Sequence, residues 1–170
     1  MVDSLITSSV GKSSRYGPFV TVSSRVQRLE PSRKPLAGVR ITVKDMFNVK
    51  GLTTSLGSRE YLALSKPATE TAPAIQKLID QGAENVGLSK MCSMVLLQHP
   101  PHCVDFAAPF NPRGHGYQSP SGGNSGQAAA IAAYEWLDIA VGTDCKALIS
   151  AYLVFPASTT QFDVRLVMTR

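Results

Sequence analysis

The stretch Gly38-Val39-Arg40-Ile41-Thr42-Val43-Lys44-Asp45 decides how this chain folds. Apolar and polar residues alternate along it, and Ile41, Thr42 and Val43 are β-branched, which is typical of a strand. The pattern ends at Lys44-Asp45, so we expect Lys44 to lie at the C-terminal end of this strand.

Downstream of this strand, the segment Thr71–Gln81 predicts a helix. Thr71 is the expected N-cap, Pro73 suits the first turn, and apolar residues recur at helical spacing as far as Ile79. Gly82 follows as the expected stop, because glycine readily takes the left-handed conformation that ends helices.

Further elements follow in a regular order. We predict a strand at 84–88, an alanine-rich helix at 127–136 and a strand at 139–143, whereas the apolar segment 91–97 fits either a helix or a strand. Strand, helix, strand, loop, helix and strand is the order of an α/β fold with a mixed or mostly parallel sheet.

The composition describes an ordinary globular protein with one domain. The 170 residues are enough for a hydrophobic core, and residues 1–35, rich in Ser, Arg and Pro, read as an extended N-terminal arm. The net charge of +5 comes from scattered basic residues, and the densest group (Arg25, Arg28, Arg33 and Lys34) is most simply a solvated surface. We therefore expect no nucleic-acid partner.

The cysteines and the apolar runs bear on location. Cys92, Cys103 and Cys145 are odd in number and form no C-x-x-C pair, which argues against a disulfide framework and favours a reducing compartment. The first twelve residues lack the apolar core of a secretion signal, and no segment approaches the ~18 apolar residues of a membrane span. We expect a cytoplasmic protein without a membrane partner.

Two local motifs have competing interpretations. The Gly/Ser-rich loop at 121–126 could cradle a phosphate, but it matches neither nucleotide-binding glycine pattern, so a plain loop that caps the following helix is the simpler interpretation. His99, His102 and Cys103 resemble metal ligands, yet Pro100-Pro101 separates the histidines and no fourth ligand lies nearby. We predict no metal site.

Three segments in order, Gly38–Asp45, Ser121–Gly126 and Val141–Asp144, together resemble the amidase signature family. The resemblance extends from about Pro35 to Asp144. It includes Val49–Ser58, Lys77–Ala83 and Phe110–Arg113 between the three segments, and the phrases 116–120 and 133–138 look like the fungal branch. It implies a partial amidase domain at 36–144 and a tail at 145–170 that does not match.

The resemblance also implies a reaction. Enzymes of the family cleave carboxamides, without a cofactor, using a serine nucleophile, a bridging serine held by a cis peptide, and a lysine. Matched position by position, Lys44 is the base. Burial favours the neutral amine that such a base requires. The backbone around Gly122, Gly123, Thr143 and Asp144 matches the loops that bind substrate and stabilise its oxyanion. Without the two downstream segments, the sequence Val43-Lys44-Asp45 would more simply be interpreted as the end of a strand at the protein surface.

Two of the three catalytic positions depart from the family pattern. Asn124 stands at the bridging serine, and an amide nitrogen does not exchange a proton as a hydroxyl does. Ser125, one residue on, is a candidate substitute. Leu148 stands at the nucleophile, and Lys146 and Ala147 replace the two glycines that allow its tight turn.

These departures lead to an expected function. We expect an amidase-family chain, truncated after Asp144 by a frameshift or a retained intron, that is inactive towards small carboxamides. The alternatives are a residually active hydrolase and a non-catalytic binding or partner subunit. A third, an amidotransferase that acts on charged transfer RNA, is the weakest of these interpretations.

Overall fold

A computed structural model of the chain describes residues 6–7, 33–93, 105–106, 109–115 and 124–143. The expected α/β fold is confirmed, because strands of a largely parallel sheet alternate with helices in these ranges. The elements are β1 (Ile6–Thr7), β2 (Arg40–Lys44), α1 (Arg59–Leu64), α2 (Pro73–Asp80), β3 (Glu84–Ser89), α3 (Ser125–Ala133) and β4 (Ile139–Val141).

The sheet has the strand order β1-β3-β2-β4. Strand β2 runs parallel to both β3 and β4, whereas β1 pairs antiparallel with the outer side of β3. The carboxyl ends of β2, β3 and β4 therefore meet at one edge of the sheet, which is where open α/β sheets bind their ligands.

Strand β2, whose β-branched residues predicted it, is an inner strand of the sheet and part of its core. All five residues of β2 are buried, and Ile41 and Val43 pack with Ile75 of α2, Leu88 of β3 and Val141 of β4 in the main hydrophobic cluster. A strand covered on both faces and paired on both edges has little freedom to move, so Lys44 at its end is held firmly.

Helix α2 differs from the prediction at its start. Its N-cap is Ala72, and the Thr71 hydroxyl instead accepts a hydrogen bond from the Lys50 backbone N–H at 3.0 Å, so the predicted Thr71 cap is wrong. The stop is confirmed. Gly82 has φ +99°, and its N–H donates to the carbonyl of Ile79 at 2.8 Å.

The other elements show smaller differences from the expected bounds. Helix α3 begins at Ser125 and ends at Ala133, two to three residues earlier at each end than predicted. Helix α1 was not anticipated, although Ser58 before Arg59-Glu60 is a recognisable start signal, and its hydroxyl accepts from the Tyr61 N–H at 3.3 Å. In the parts of the chain described, no helix combines the length and apolar character needed to cross a bilayer.

Candidate active site

Lys44 is the last residue of β2 and is fully buried. Its Nζ lies 2.7 Å from Oγ1 of Thr143, to which it donates a hydrogen bond. Thr143 follows β4, the parallel neighbour of β2, so the sheet brings together two residues that are 99 positions apart in the chain. The prediction that Lys44 closes a strand is confirmed.

The contact with Thr143 was not anticipated. Thr143 was expected to contribute to a substrate loop through its backbone, yet its hydroxyl is the group that meets the lysine. The same hydroxyl donates to Sδ of Met46 at 3.6 Å. The signal that could have revealed this contact is the position of Thr143 two residues beyond a parallel strand, beside the end of β2.

Asn124 lies immediately before α3 and is 2 % exposed. Its side chain makes no capping bond to the helix. Instead Nδ2 donates to the carbonyl oxygen of Thr143 at 2.8 Å, and Oδ1 accepts from the N–H of Thr143 at 3.4 Å. The amide thus pairs with the Thr143 backbone as a neighbouring strand would, an arrangement we call the Asn124–Thr143 clamp.

Gly142 leaves the space that the clamp needs. A Cβ atom at this position would lie 2.7 Å from Oδ1 and 3.0 Å from Cγ of Asn124, which is closer than carbon side chains normally approach. Any larger residue would displace the amide or the strand end. The glycine of the Val141–Asp144 segment therefore has a steric role in this chain.

Ser125, the candidate substitute for the bridging serine, is the first residue of α3 and is buried. Its neighbour Gly126 packs directly against the chain after β3, since a Cβ atom there would lie 2.0 Å from the carbonyl oxygen of Lys90. The start of α3, which follows Asn124 and includes Ser125, thus lies in close contact with the chain that follows β3.

A buried polar chain connects α3 to the strands behind Lys44. Gln127 Nε2 donates to Ser89 Oγ at 2.8 Å, and Ser89 Oγ donates to the carbonyl oxygen of Val43 at 3.2 Å. Such bonds are worth about 0.5–1.5 kcal/mol each and fix the helix relative to β2 and β3. They orient the strand end that carries Lys44.

Asp45 directly follows Lys44, in the turn after β2. It is 4 % exposed and accepts hydrogen bonds from the backbone N–H of Ser55 at 2.9 Å and from the Ser55 hydroxyl. Burial raises the pKa of the Asp45 carboxyl, and the two bonds from Ser55 lower it in part.

A cavity of about 230 Å³ adjoins Asp45. Most of its lining comes from the 52–57 loop, helix α1 and the end of β3 with the two residues after it. The lining residues are Asp45, Leu52, Thr53, Ser55, Gly57, Leu62, Leu88, Lys90, Met91 and Phe106. Neither Lys44 nor Thr143 is among the lining residues, so the lysine–threonine pair and this mainly apolar cavity are separate features.

Several predicted residues lie outside the described part of the chain. These are Gly122, Gly123, Asp144 and Leu148, together with the histidines and Cys103 of the rejected metal motif. Of the predicted site, Lys44, Asn124 and Thr143 form one hydrogen-bonded group, and Ser125 is next to it in sequence.

The model of the amidase family matches residues 22–160 of the chain. The chain belongs to the amidase family. The match is longer than the predicted 35–144 at both ends, so it does not stop at Asp144 as expected. This result confirms the resemblance drawn from the three segments around Lys44, Asn124 and Thr143.

Individual relatives agree with this assignment. The chain is similar to Amidase 1 of Arabidopsis thaliana, with 33% identity over 132 residues that cover 76% of this chain and 30% of that protein. It is 49% identical over 57 residues to a glutamyl-tRNA(Gln) amidotransferase subunit of Deinococcus deserti, which covers 34% of this chain and 11% of that protein. The chain thus spans less than a third of the length of each.

A solved structure shows the same fold. The crystal structure of an amidase family protein from Bacillus anthracis superposes with a TM-score of 0.53 over 68% of this chain and 23% of that one, at 22% identity. The similarity at this level concerns the fold, and it is consistent with a partial domain built on the same sheet.

Proposed function

We propose that this chain carries the lysine of an amidase-type site but hydrolyses carboxamides slowly or not at all. The observation that carries the proposal is the Asn124–Thr143 clamp. Both polar atoms of the Asn124 amide are engaged by one backbone residue. An amide nitrogen neither accepts nor releases a proton near neutral pH, so the group at the bridging position does not relay one to Lys44.

The sequence around the position that matches the family's nucleophile supports the same proposal. Leu148 offers no hydroxyl, and Lys146 and Ala147 stand where the family has glycines. A nucleophile must lie within about 3 Å of its base, and the loss of such a residue removes covalent catalysis at that position. Lys44 remains buried, and the hydroxyl within hydrogen-bond distance of it is that of Thr143.

The substrate class we propose for any remaining activity is a small linear carboxamide, with no cofactor and no metal. The alternative is a non-catalytic partner subunit of the same family. The likeness to an amidotransferase subunit covers 57 residues, 34% of this chain, which makes an amidotransferase reaction the least supported alternative.

Ammonia release from simple amides tests the proposal. We expect the purified chain and its Lys44→Ala variant to release ammonia from acetamide and benzamide at the same background rate. Release that is faster in the natural chain and lost in the variant would overturn the proposal. A cooperative thermal transition and a monodisperse elution profile for both samples establish that the comparison is made on folded protein.

A further inference from the structure

The Lys44–Thr143 pair has the geometry of a nucleophile next to its base. Lysine amines serve as bases for hydroxyl nucleophiles when the two groups lie within hydrogen-bond reach and the base is neutral. Here Nζ and Oγ1 are 2.7 Å apart. Complete burial of Lys44 disfavours the charged form of an amine.

Thr143 is more exposed to solvent than Lys44, as a nucleophile beside its base should be. Lys44 is fully enclosed, whereas Thr143 is only partly buried at the carboxyl edge of the sheet. A reagent that approaches this edge would therefore meet the threonine before the lysine. The Asn124–Thr143 clamp holds the backbone of Thr143 and so limits where its hydroxyl can point.

The hydroxyl proton has two acceptors in reach. It points to Sδ of Met46 at 3.6 Å when Lys44 donates, and rotation about the Cβ–Oγ1 bond of Thr143 turns it towards Nζ when the lysine is neutral. Thioether sulfur is a weak acceptor, so this rotation gives up little. The pair can thus pass from the observed arrangement to one in which the base takes the proton.

We propose that Thr143 Oγ1 is the nucleophile of this chain and Lys44 Nζ its base, and that together they take up acyl or phosphonyl groups from activated donors. This rests on the proposed function, in which the serines of the family are lost. In the step with a fluorophosphonate, a bond forms between Oγ1 and phosphorus and the phosphorus–fluorine bond breaks. The hydroxyl proton passes to Lys44 and then to solvent, and fluoride leaves.

Labelling with a fluorophosphonate–biotin probe tests the proposal on the full chain, with the modified peptide identified by mass spectrometry. We expect one adduct, on Thr143. Loss of a general base costs about 10²-fold or more, so Lys44→Met, which keeps an unbranched side chain of similar length in the buried site, should slow labelling by about that factor. Thr143→Val should abolish it, and Thr143→Ser should retain it.

Thr71→Val is the matched control, because it makes the same change at a threonine remote from the sheet edge, and it should label like the natural chain. A label on any other residue, no label at all, or labelling that survives Thr143→Val would overturn the proposal, as would loss of the adduct in Ser125→Ala with Thr143 intact. Mass spectrometry detects the covalent adduct whether or not the chain turns over a substrate. Failure here is thus distinct from failure of the proposed function, which is read as Lys44-dependent ammonia release.

Discussion

The side-chain amide of Asn124 pairs with both backbone polar groups of Thr143, with Nδ2 to oxygen at 2.8 Å and nitrogen to Oδ1 at 3.4 Å. Asn124 therefore links two elements of the fold through its side chain. It joins the start of α3 to the end of β4 and holds the hydroxyl that contacts Lys44. Four measurements test the consequences of this arrangement and of the packing around it.

Asn124→Ala should destabilise the fold by about 1–3 kcal/mol, because it leaves the N–H and carbonyl of the partly buried Thr143 without the partners that the amide supplies. Chemical denaturation followed by circular dichroism measures the change. Asn48→Ala is the control, since Asn48 is exposed and surface changes usually stay within about 0.5 kcal/mol. Equal effects of the two substitutions would contradict a structural role for the clamp.

Gly142→Ala should also destabilise the fold, by about 1–3 kcal/mol, because the added Cβ would lie 2.7 Å from Oδ1 of Asn124. The atoms that it meets belong to the clamp. In an Asn124→Ala background the same substitution should therefore cost less, and a double-mutant cycle should give a coupling of about 0.5–3 kcal/mol. Additive effects would show that Gly142 is required for another reason.

Asp45 should make stability fall as the pH rises. Its folded-state pKa is raised above 3.8 by burial, so the folded state holds a proton that the unfolded state has lost. The stabilising contribution is complete below pH 3.8 and is lost as the pH rises through the folded-state pKa. Asp45→Asn, which cannot ionise, should therefore gain stability relative to the natural chain as the pH increases through this window.

Urea midpoints measured across the pH range test this dependence. Ser55→Ala should raise the Asp45 pKa further, because it removes the hydroxyl hydrogen bond that lowers this pKa. The pH range over which stability falls should therefore move to higher pH. A difference between Asp45→Asn and the natural chain that stays constant with pH would refute the assignment to Asp45.

Gly126→Ala should damage the fold more than Gly142→Ala does. Its Cβ would lie 2.0 Å from the carbonyl oxygen of Lys90, so α3 would have to move away from β3, at a cost of about 1–3 kcal/mol or more. Gly114→Ala is the matched control, since its nearest contacts are at 3.5 Å. Thermal unfolding of Gly126→Ala and Gly114→Ala should show a large loss for Gly126→Ala only.

Local patterns in the sequence predicted the framework well. The β-branched run of β2 and the helical spacing before Gly82 depend on residues that are neighbours in the chain, and both elements formed close to the expected positions. The prediction failed where a side chain formed a hydrogen bond with a residue far away in the sequence. The Thr71 hydroxyl does not cap α2, because it accepts a hydrogen bond from the Lys50 backbone N–H instead.

The amino-acid sequence by itself determined the α/β order, the family and the position of Lys44 at the end of a buried strand, because these follow from local periodicity and from motifs along the chain. Only the tertiary structure decided the partners of the lysine. Lys44, Asn124 and Thr143 meet because β4 lies next to β2 in the sheet, and local patterns along the chain do not reveal that strand order. The bonds of Asn124 to a backbone 19 residues away depend on the same adjacency, together with the space left by Gly142.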